Sequence, residues 1–271
     1  MELIFFTKQL QGMDVEATGR EAKALGFDGL DLTVRPGYCV NPDNVGKALL
    51  PAIRIWRDMG LSVPMVTTPG DFTDPALPVA DTMLAACARA GIHEIKLGYW
   101  RYVEPGYWQR VDEIRQALEG FQRLAEKHGV RVAVHTHSGA FFSVNAAATM
   151  SLVRGLDPRF VGVYLDPGHL AINGEPPRMA IDLVRDYLCL VGVKNLTHIR
   201  TEQDGRVRWS CRVVPLREGL ADWGETLAAL AQAGYTGPLS FHSEYADVSL
   251  DELRALTRND LAYLRGLMGQ G

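Results

Sequence analysis

The chain has 271 residues and a formal net charge of −4, from 28 Lys and Arg against 32 Asp and Glu. Without a basic excess to attract a nucleic-acid backbone or an acidic membrane surface, neither is an expected partner. The first residues lack the basic region and cleavage signal of a secretory leader, and no apolar run approaches the roughly 20 residues of a membrane span, so we expect a cytoplasmic protein.

Short apolar segments alternate with longer amphipathic ones along the whole chain. The pattern predicts strands at residues 3–7, 29–33, 61–68, 94–98, 130–137, 160–166, 188–195 and 238–244. It predicts helices at about 14–25, 44–59, 80–90, 109–128, 145–154, 178–187, 223–233 and 250–267, several of which end at a glycine. A long loop is expected between the seventh strand and the helix near Trp223.

The eight strand–helix units carry no linker or low-complexity tract between them, so we expect residues 1–271 to form a single domain. Alternating strands and helices indicate a parallel sheet, and eight units in roughly 250 residues match a (β/α)8 TIM barrel. A doubly wound open sheet is the alternative. It would usually carry a glycine-rich phosphate loop after the first strand, and LIFFTKQLQGMD has none.

One face of the predicted strands collects polar side chains. Successive strand residues point to opposite faces, and we take the face rich in Val, Leu and Ile as the one that packs on the helices. The polar residues of the other face come late in their strands, at the C-terminal mouth where barrel enzymes hold their active sites. They are Asp31, Lys96, His135, His137, Asp166, Lys194, His242 and Glu244.

Paired histidines at the end of the fifth strand suggest metal binding. His135 and His137 share a strand face, and His242 with Glu244 repeats that spacing on the eighth strand. Imidazole suits zinc, manganese, cobalt or iron better than it suits magnesium or calcium. The same histidines could act as acid–base groups without a metal, because the unperturbed imidazole pKa is about 6.5.

Other residues are assigned by their place near the mouth. His169 follows Asp-Pro-Gly and is expected on a loop above the mouth, while Lys194 could stabilise an oxyanion. Lys96 could do the same or pair with Glu94.

Trp100 belongs to an aromatic cluster after the fourth strand that either packs on a helix or contacts a sugar ring. Arg212 and Arg217 lie in the long loop after strand seven, a region that binds phosphate in many barrels.

Several segments resemble the xylose isomerase-like TIM-barrel superfamily, which contains sugar phosphate isomerases and epimerases. They are EAKALGFDGLDL at 21–32, YLDPGH at 164–169, VKN at 193–195, VPLREGLADW at 214–223 and GYTGPLSFHSEY at 234–245. The resemblance runs over nearly the whole chain. It implies a barrel with a small-molecule carbohydrate substrate, and homo-oligomers are common in that superfamily.

The resemblance also implies a divalent metal held by a Glu on strand five, an Asp before Pro-Gly-His, a His two residues before the strand-seven Lys, and a Glu on strand eight. Asp166 matches this pattern, His135 and His242 take the two Glu positions, and Gly192 replaces the His. We therefore predict a rebuilt metal site of His135, Asp166 and His242, which His137 or Glu244 would complete.

By resemblance, the expected reaction is metal-assisted proton transfer through an enediolate, by an isomerase or epimerase acting on a sugar or sugar-like polyol. The expected catalytic residues are Glu244 as base, Lys194 at the oxyanion, and His169. The expected substrate contacts are His137, Lys96, Asp31, Trp100 and Arg217.

Two alternatives stay open: a metal-dependent lyase or dehydratase acting on a carbohydrate or hydroxy acid, and a non-catalytic sugar-binding barrel with a degenerate metal site. An endonuclease of the same superfamily is disfavoured by the acidic charge.

Overall fold

The computed structural model describes residues 1–269. Its strands are β1 (Leu3–Phe6), β2 (Gly29–Thr33), β3 (Ser62–Thr67), β4 (Glu94–Lys96), β5 (Arg131–His135), β6 (Val161–Leu165), β7 (Leu188–Val193), β8 (Asn195–Gln203), β9 (Arg206–Val214) and β10 (Leu239–Phe241). The strands β1 to β7 and β10 are parallel, and β10 closes the barrel by pairing with both β1 and β7. The predicted TIM barrel is confirmed.

Helices cover the outside of the barrel and alternate with its strands. They are α1 (Val15–Leu25), α2 (Val45–Asp58), α3 (Pro78–Ala90), α4 (Tyr107–His128), α5 (Ala146–Val153), α6 (Pro167–Ile172), α7 (Pro177–Val184), α8 (Trp223–Gln232) and α9 (Leu250–Met268). Gly26, Gly91 and Gly129 end their helices in the left-handed conformation that glycine adopts without strain.

Two apolar layers lie on opposite faces of the barrel strands. Leu30, Ile95 and Val132 belong to the large core between strands and helices. The lumen holds a separate small cluster of Ile4, Met65, Ala133, Tyr164, Cys189 and Leu190. This division confirms the assignment of strand faces that placed the polar residues in the lumen.

The prediction of a long loop after the seventh strand is wrong, because an antiparallel hairpin of β8 and β9 occupies most of this segment. Asp204 and Gly205 form its turn with positive φ angles of 53° and 68°. An Asp-Gly pair between extended segments is a strong hairpin signal, since a type I′ turn needs positive φ at both central residues.

Three further corrections concern the ends of strands. Strand β5 ends at His135, so His137 lies beyond it, and β10 ends at Phe241, so His242 and Glu244 lie beyond that strand. His169 lies in the short helix α6 rather than in a loop, because Pro167 occupies the first helical position and Asp166 caps the helix.

The predicted single domain of residues 1–271 includes Gln270 and Gly271, which lie outside the described residues. Within residues 1–269, no helix combines the length and apolar character that crossing a bilayer requires.

Candidate active site

The C-terminal ends of the barrel strands surround a small polar cavity of about 100 Å³. Its lining residues are Phe6, Lys8, Arg35, Thr67, Lys96, Tyr99, His137, His242 and Glu244. Most of these side chains carry charge or a hydrogen-bonding group, as expected for a site that binds a polar molecule. A larger cleft of about 450 Å³ lies on the outer face, against α7 and α8, away from the barrel mouth.

A single carboxylate oxygen, Oδ2 of Asp166, lies at the centre of the polar cluster. His135 Nε2 and Lys194 Nζ each lie 3.3 Å from it, and His169 Nε2 lies at 3.9 Å. The carboxylate is held in place because its Oδ1 accepts a 3.2 Å hydrogen bond from the backbone N–H of His169, at the start of α6. Asp166 is fully buried, so these nitrogens compensate a charge that water does not reach.

Lys194 lies between the carboxylates of Asp166 and Glu244 at the barrel mouth. Its ammonium donates to Glu244 Oε2 at 3.0 Å and lies 3.3 Å from Asp166. Burial by itself lowers the pKa of Lys194, but Asp166 and Glu244 outweigh burial and the net pKa is raised. In the same way burial would raise the pKa of Asp166, yet Lys194 and His169 hold it below its usual value. The pair is therefore ionised at neutral pH.

Glu244 reaches the cavity from the segment after β10. Besides Lys194, the exposed Lys8 forms an ion pair with it, and His242 Nδ1 lies 3.7 Å from its Oε2. Burial raises the pKa of Glu244, but Lys194, His242 and Lys8 together bring it well below the usual value. Glu244 is thus an ionised carboxylate with access to the cavity.

A hydrogen-bonded chain runs from His242 down into the lumen. His242 Nε2 and Tyr164 Oη are 2.7 Å apart, and the hydroxyl of Tyr164 donates to Asp31 at 3.5 Å. Burial lowers the pKa of His242, but the carboxylates of Asp31 and Glu244, at 3.8 Å and 3.7 Å, outweigh burial and raise it.

Asp31, an expected substrate contact, is instead enclosed at the bottom of this chain. Its two carboxylate oxygens accept hydrogen bonds from Thr67 at 2.6 Å and Ser240 at 2.7 Å. The residue is fully buried and does not line the cavity. Asp31 therefore anchors the lumen rather than presenting a group to the mouth.

The histidine cluster, made of His135, His137 and His169, lies beside Asp166. A consistent arrangement has the Tyr99 hydroxyl donating to His135 Nδ1 over 2.9 Å while the Nε2–H faces Asp166. Burial and the charge of Lys96 lower the pKa of His135 well below its usual value. Its imidazole is neutral.

His137 and His169 stack with ring centroids 3.8 Å apart. His137 Nδ1 must carry a proton, because its partner at 2.8 Å is the backbone carbonyl of Ser138. Burial lowers the pKa of His137 to about 4, so its Nε2 holds a free lone pair at neutral pH. His169 Nδ1 bonds to the Ser138 hydroxyl at 2.8 Å, and burial followed by Lys194 lowers its pKa as well.

Lys96 is a second buried lysine at the mouth, with quite different surroundings. Its Nζ lies 3.6 Å from the centroid of the Tyr99 ring and has no hydrogen-bond partner among residues 1–269. The alternative pair with Glu94 does not form, because Glu94 bonds to Arg131. Burial and the charge of Arg35 lower the pKa of Lys96 well below its usual value.

Two expected substrate contacts lie away from the cavity. The half-buried Trp100 packs against the core between strands and helices, which favours the packing alternative for this residue. The guanidinium of Arg217 lies 4.4 Å from the ring centroid of Tyr263, on α9. Neither residue lines the cavity.

Several residues of the site were missed in the sequence, although some left a signal there. Tyr164 occupies a lumen-facing position of β6, two residues before Asp166, and the alternation that selected Asp166 selects it equally. Lys8 and Arg35 follow the ends of β1 and β2. No periodic pattern marks them, since Lys8 lies in a single 3-10 turn (Thr7–Leu10) and Arg35 in the irregular segment after β2.

A family model described as a xylose isomerase-like TIM barrel matches residues 20–267. The chain belongs to this family. Solved structures of similar fold include 3-keto-D-glucoside 4-epimerase from E. coli, with a TM-score of 0.75 at 15% identity over 98% of this chain and 99% of that one. A D-psicose 3-epimerase aligns with a TM-score of 0.73 at 16% identity over 99% of this chain and 100% of its own. At these identities the likeness shows the fold alone.

Curated relatives of this xylose isomerase-like barrel include inosose dehydratases. That of Lactiplantibacillus plantarum is 26% identical over 134 residues, which are 49% of this chain and 41% of that protein. One from Bacillus cereus is 29% identical over 91 residues, which are 34% of this chain and 29% of that protein. The chain thus matches less than half the length of these relatives.

A divalent metal is implied by the family resemblance, and a similar barrel from Mycobacterium smegmatis, with a TM-score of 0.71 at 16% identity over 98% of this chain and 96% of that one, was solved in complex with magnesium. In the part of the chain that the structure describes, no three His, Cys, Asp or Glu side chains form a group that could hold a metal.

His135 Nε2 and His169 Nε2 lie 3.3 Å and 3.9 Å from Asp166 Oδ2, and these three buried atoms have no hydrogen-bond partner within residues 1–269. His242 Nε2 is hydrogen-bonded to the Tyr164 hydroxyl. The metal site of His135, Asp166 and His242 stays a prediction.

Proposed function

We propose that this chain is an enzyme that transfers a proton at the carbon next to a carbonyl group of a sugar or sugar-like polyol, as an isomerase or epimerase. The observation that carries the proposal is the ammonium of Lys194, held between Asp166 and Glu244 at the barrel mouth. A fixed cation beside an ionised carboxylate supplies the two groups that enolisation needs. The epimerases among the structural neighbours support this reading.

Lys194 would stabilise the oxygen on which negative charge develops. When a carbonyl compound loses its α-proton, charge moves to the carbonyl oxygen, and a donor preorganised in a site shielded from water stabilises that charge strongly. Removing one such donor typically slows catalysis by about 10²–10³-fold. Since Lys194 is buried and held on two sides, its ammonium loses little freedom when the oxyanion forms.

Glu244 would accept the proton. Its low pKa makes it a weak base while Lys194 contacts it, but its base strength rises as the developing oxyanion shares the charge of Lys194. His137 is the alternative base, because it is neutral and its Nε2 lone pair is free. Lys96 and His137 line the cavity and would donate to or accept from substrate hydroxyls. His169 would act through its contacts with Asp166 and Ser138.

A dehydratase is the second candidate, supported by the inosose dehydratases among the sequence relatives. Its first step would be the same proton abstraction, and a hydroxyl on the next carbon would then leave as water. The departing hydroxyl needs an acid, a role for which His242 is suited because the carboxylates of Asp31 and Glu244 raise its pKa.

Proton abstraction can be measured before the substrate is known. Ketoses, aldoses and inososes are incubated with the protein in D2O, and NMR follows deuterium entering the carbon next to the carbonyl. We expect one class of compound to exchange at this position. Conversion to a stereoisomer or a ketose–aldose pair then favours the isomerase, whereas release of water favours the dehydratase.

Glu244→Gln should slow the exchange by about 10²–10⁴-fold, the usual contribution of a general base. Glu225→Gln is the matched control, because Glu225 is a partly exposed glutamate on α8, outside the cavity, that pairs with Arg178. Absence of exchange across the panel, or full exchange by the Glu244 variant, would contradict the proposal as written.

A further inference from the structure

We infer that Arg35 and Lys96 bind a carboxylate group of the substrate, so that the sugar-like molecule on which this barrel acts is a sugar acid. The reacting part of that molecule rests on the proposed function, in which proton transfer takes place beside Lys194 and Glu244. The binding of the carboxylate is tested without turnover, so the two ideas can fail separately.

Arg35 and Lys96 lie on the same side of the cavity that they both line. Lys96 is the last residue of β4, and Arg35 follows the end of β2 by two residues. Thr68, directly after β3, connects them: its carbonyl accepts a hydrogen bond from Arg35 Nε at 3.1 Å, and its hydroxyl donates to the backbone carbonyl of Lys96 at 2.8 Å. The ends of three neighbouring strands thus hold the two cations.

Neither cation has an acidic partner within residues 1–269. Lys96 Nζ is buried without any hydrogen-bond partner there, and the side chain of Arg35 donates to a neutral carbonyl. The other two lysines of the mouth differ, because Lys8 and Lys194 both pair with Glu244. A buried polar group without a partner is costly unless a ligand supplies one. The two unpaired cations therefore indicate an anionic group that comes from outside the protein.

The charges of this pair support the same conclusion. Arg35 is one cause of the lowered pKa of Lys96, so the two groups repel each other when both are charged. A carboxylate bound beside them would favour the protonated amine, because an opposite charge nearby stabilises the charged form. The ring of Tyr99, whose centroid lies 3.6 Å from Lys96 Nζ, would also stabilise the ammonium.

A carboxylate suits these donors better than a phosphate does. The planar guanidinium of Arg35 matches the two oxygens of a carboxylate, and Lys96 adds a further donor. Phosphate sites in barrels usually rely on backbone N–H groups at a helix start or in a glycine-rich loop, and in the described chain no glycine lines this cavity of about 100 Å³. Lys96 would thus contact a carboxylate rather than a hydroxyl, while Glu244 faces the reacting carbon.

The test measures how a carboxylate changes affinity for an otherwise identical sugar. Glucose, galactose and fructose are each compared with the acid and with the phosphate ester that differ from them only at the terminal carbon. Isothermal titration gives the Kd for wild type, Arg35→Met, Lys96→Met and Lys8→Met. Lys8→Met is the matched control, because it removes a cation that lines the same cavity but already pairs with Glu244.

Wild type should bind at least one acid about 10–100-fold more tightly than its neutral parent, the usual gain from charge-assisted hydrogen bonds. Arg35→Met and Lys96→Met should each lose most of this preference, whereas Lys8→Met should keep it. Circular dichroism confirms that each variant is folded. If Arg35→Met does not fold, Lys96→Met decides alone.

Equal affinity of wild type for acids and neutral sugars would overturn the inference. A preference that survives in Lys96→Met, or tighter binding of the phosphate esters than of the acids, would do the same. If no sugar of the panel binds, glycolate is compared with ethylene glycol by the NMR signal of the Arg35 Nε–H. A shift with glycolate alone supports the inference, and no shift with either compound overturns it.

The outcomes also separate this inference from the proposed function. Preferred binding of an acid that shows no deuterium exchange would contradict the proposed function and leave the carboxylate site standing. Exchange on neutral sugars by a protein without preference for acids would contradict the carboxylate site alone.

Discussion

Replacing Lys96 by methionine should stabilise the folded protein, although the residue is buried at the barrel mouth. In the part of the chain that the structure describes, the amine of Lys96 has no hydrogen-bond partner, and it lies over the ring of Tyr99, 3.6 Å from the ring centroid. Burial and the positive charge of Arg35 lower its pKa, which means that folding disfavours the protonated form. Methionine keeps an unbranched apolar stem of similar shape and removes the amine.

The magnitude follows from the groups involved. A buried donor left without a partner costs about 1–3 kcal/mol, and the contact with the aromatic ring returns about 0.5–2 kcal/mol of this when the amine is charged. We therefore expect Lys96→Met to raise the free energy of unfolding by about 1 kcal/mol. For a domain of this size that corresponds to a thermal midpoint higher by about 2–4 °C.

Dependence on pH provides an internal check. Because the folded pKa of Lys96 is lowered, the unfolded chain holds a proton that the folded chain lacks at any pH between the folded pKa and about 10.4. In this window the stability of wild type rises with pH, and Lys96→Met should lose that contribution. Urea denaturation at several alkaline pH values measures the difference.

Lys194→Met is a control that should change the free energy of unfolding in the opposite direction. Lys194 contacts two carboxylates, and breaking a buried ion pair typically destabilises by about 3–5 kcal/mol because the remaining charge has no partner. The two lysines at one mouth should thus shift stability in opposite directions. Destabilisation by Lys96→Met would refute the reasoning, since it would mean that the amine makes a net favourable contact.

Acidification should destabilise the protein between about pH 6.5 and 4, because the pKa values of the histidine cluster are lowered by burial and the unfolded chain then takes up more protons. The raised pKa of His242 makes acidification stabilising at that one residue, but three histidines have the opposite effect. A thermal midpoint that rises on acidification would contradict the predicted destabilisation. Gly192→Ala should lower stability by about 1–3 kcal/mol in urea, because its Cβ would press on Asp166, and an unchanged midpoint would mean that the carboxylate can move aside. Gly205→Val should speed amide exchange in β8 and β9, because a β-branched residue is strained at the φ of 68° that Gly205 adopts in the hairpin turn. The barrel strands should stay protected from exchange. Unchanged exchange in the hairpin would argue against this turn.

The barrel and its faces could be predicted from sequence because both follow from local patterns. Alternation within a strand has a period of two, so Val132 and Ala133 could be assigned to opposite faces without any structure. Where a strand ends is decided by pairing across the barrel, which one strand does not encode. His137 and Glu244 were placed on the correct side of the molecule, but as strand residues, whereas both lie on the segments that follow.

The metal site could not be judged from sequence, because residue type gives the number of donors and not their direction. His135, Asp166 and His242 do meet at the mouth. Yet His242 Nε2 is hydrogen-bonded to the Tyr164 hydroxyl, a contact that depends on how β6 and β10 lie across the lumen. The hairpin, by contrast, was within reach of the sequence, since its Asp-Gly turn was there to be recognised.

The glycine at position 192 sets where the carboxylate of Asp166 lies. Gly192 is the penultimate residue of β7, and Lys194 directly follows the strand. Without a side chain at 192, the carboxylate of Asp166 can lie against the strand, 3.3 Å from the ammonium of Lys194. A Cβ there would lie 3.1 Å from Asp166 Oδ2, so any larger residue would press on this carboxylate. The departure from the family pattern at 192 therefore bears directly on the Asp166–Lys194 ion pair, although the lysine itself belongs to that pattern.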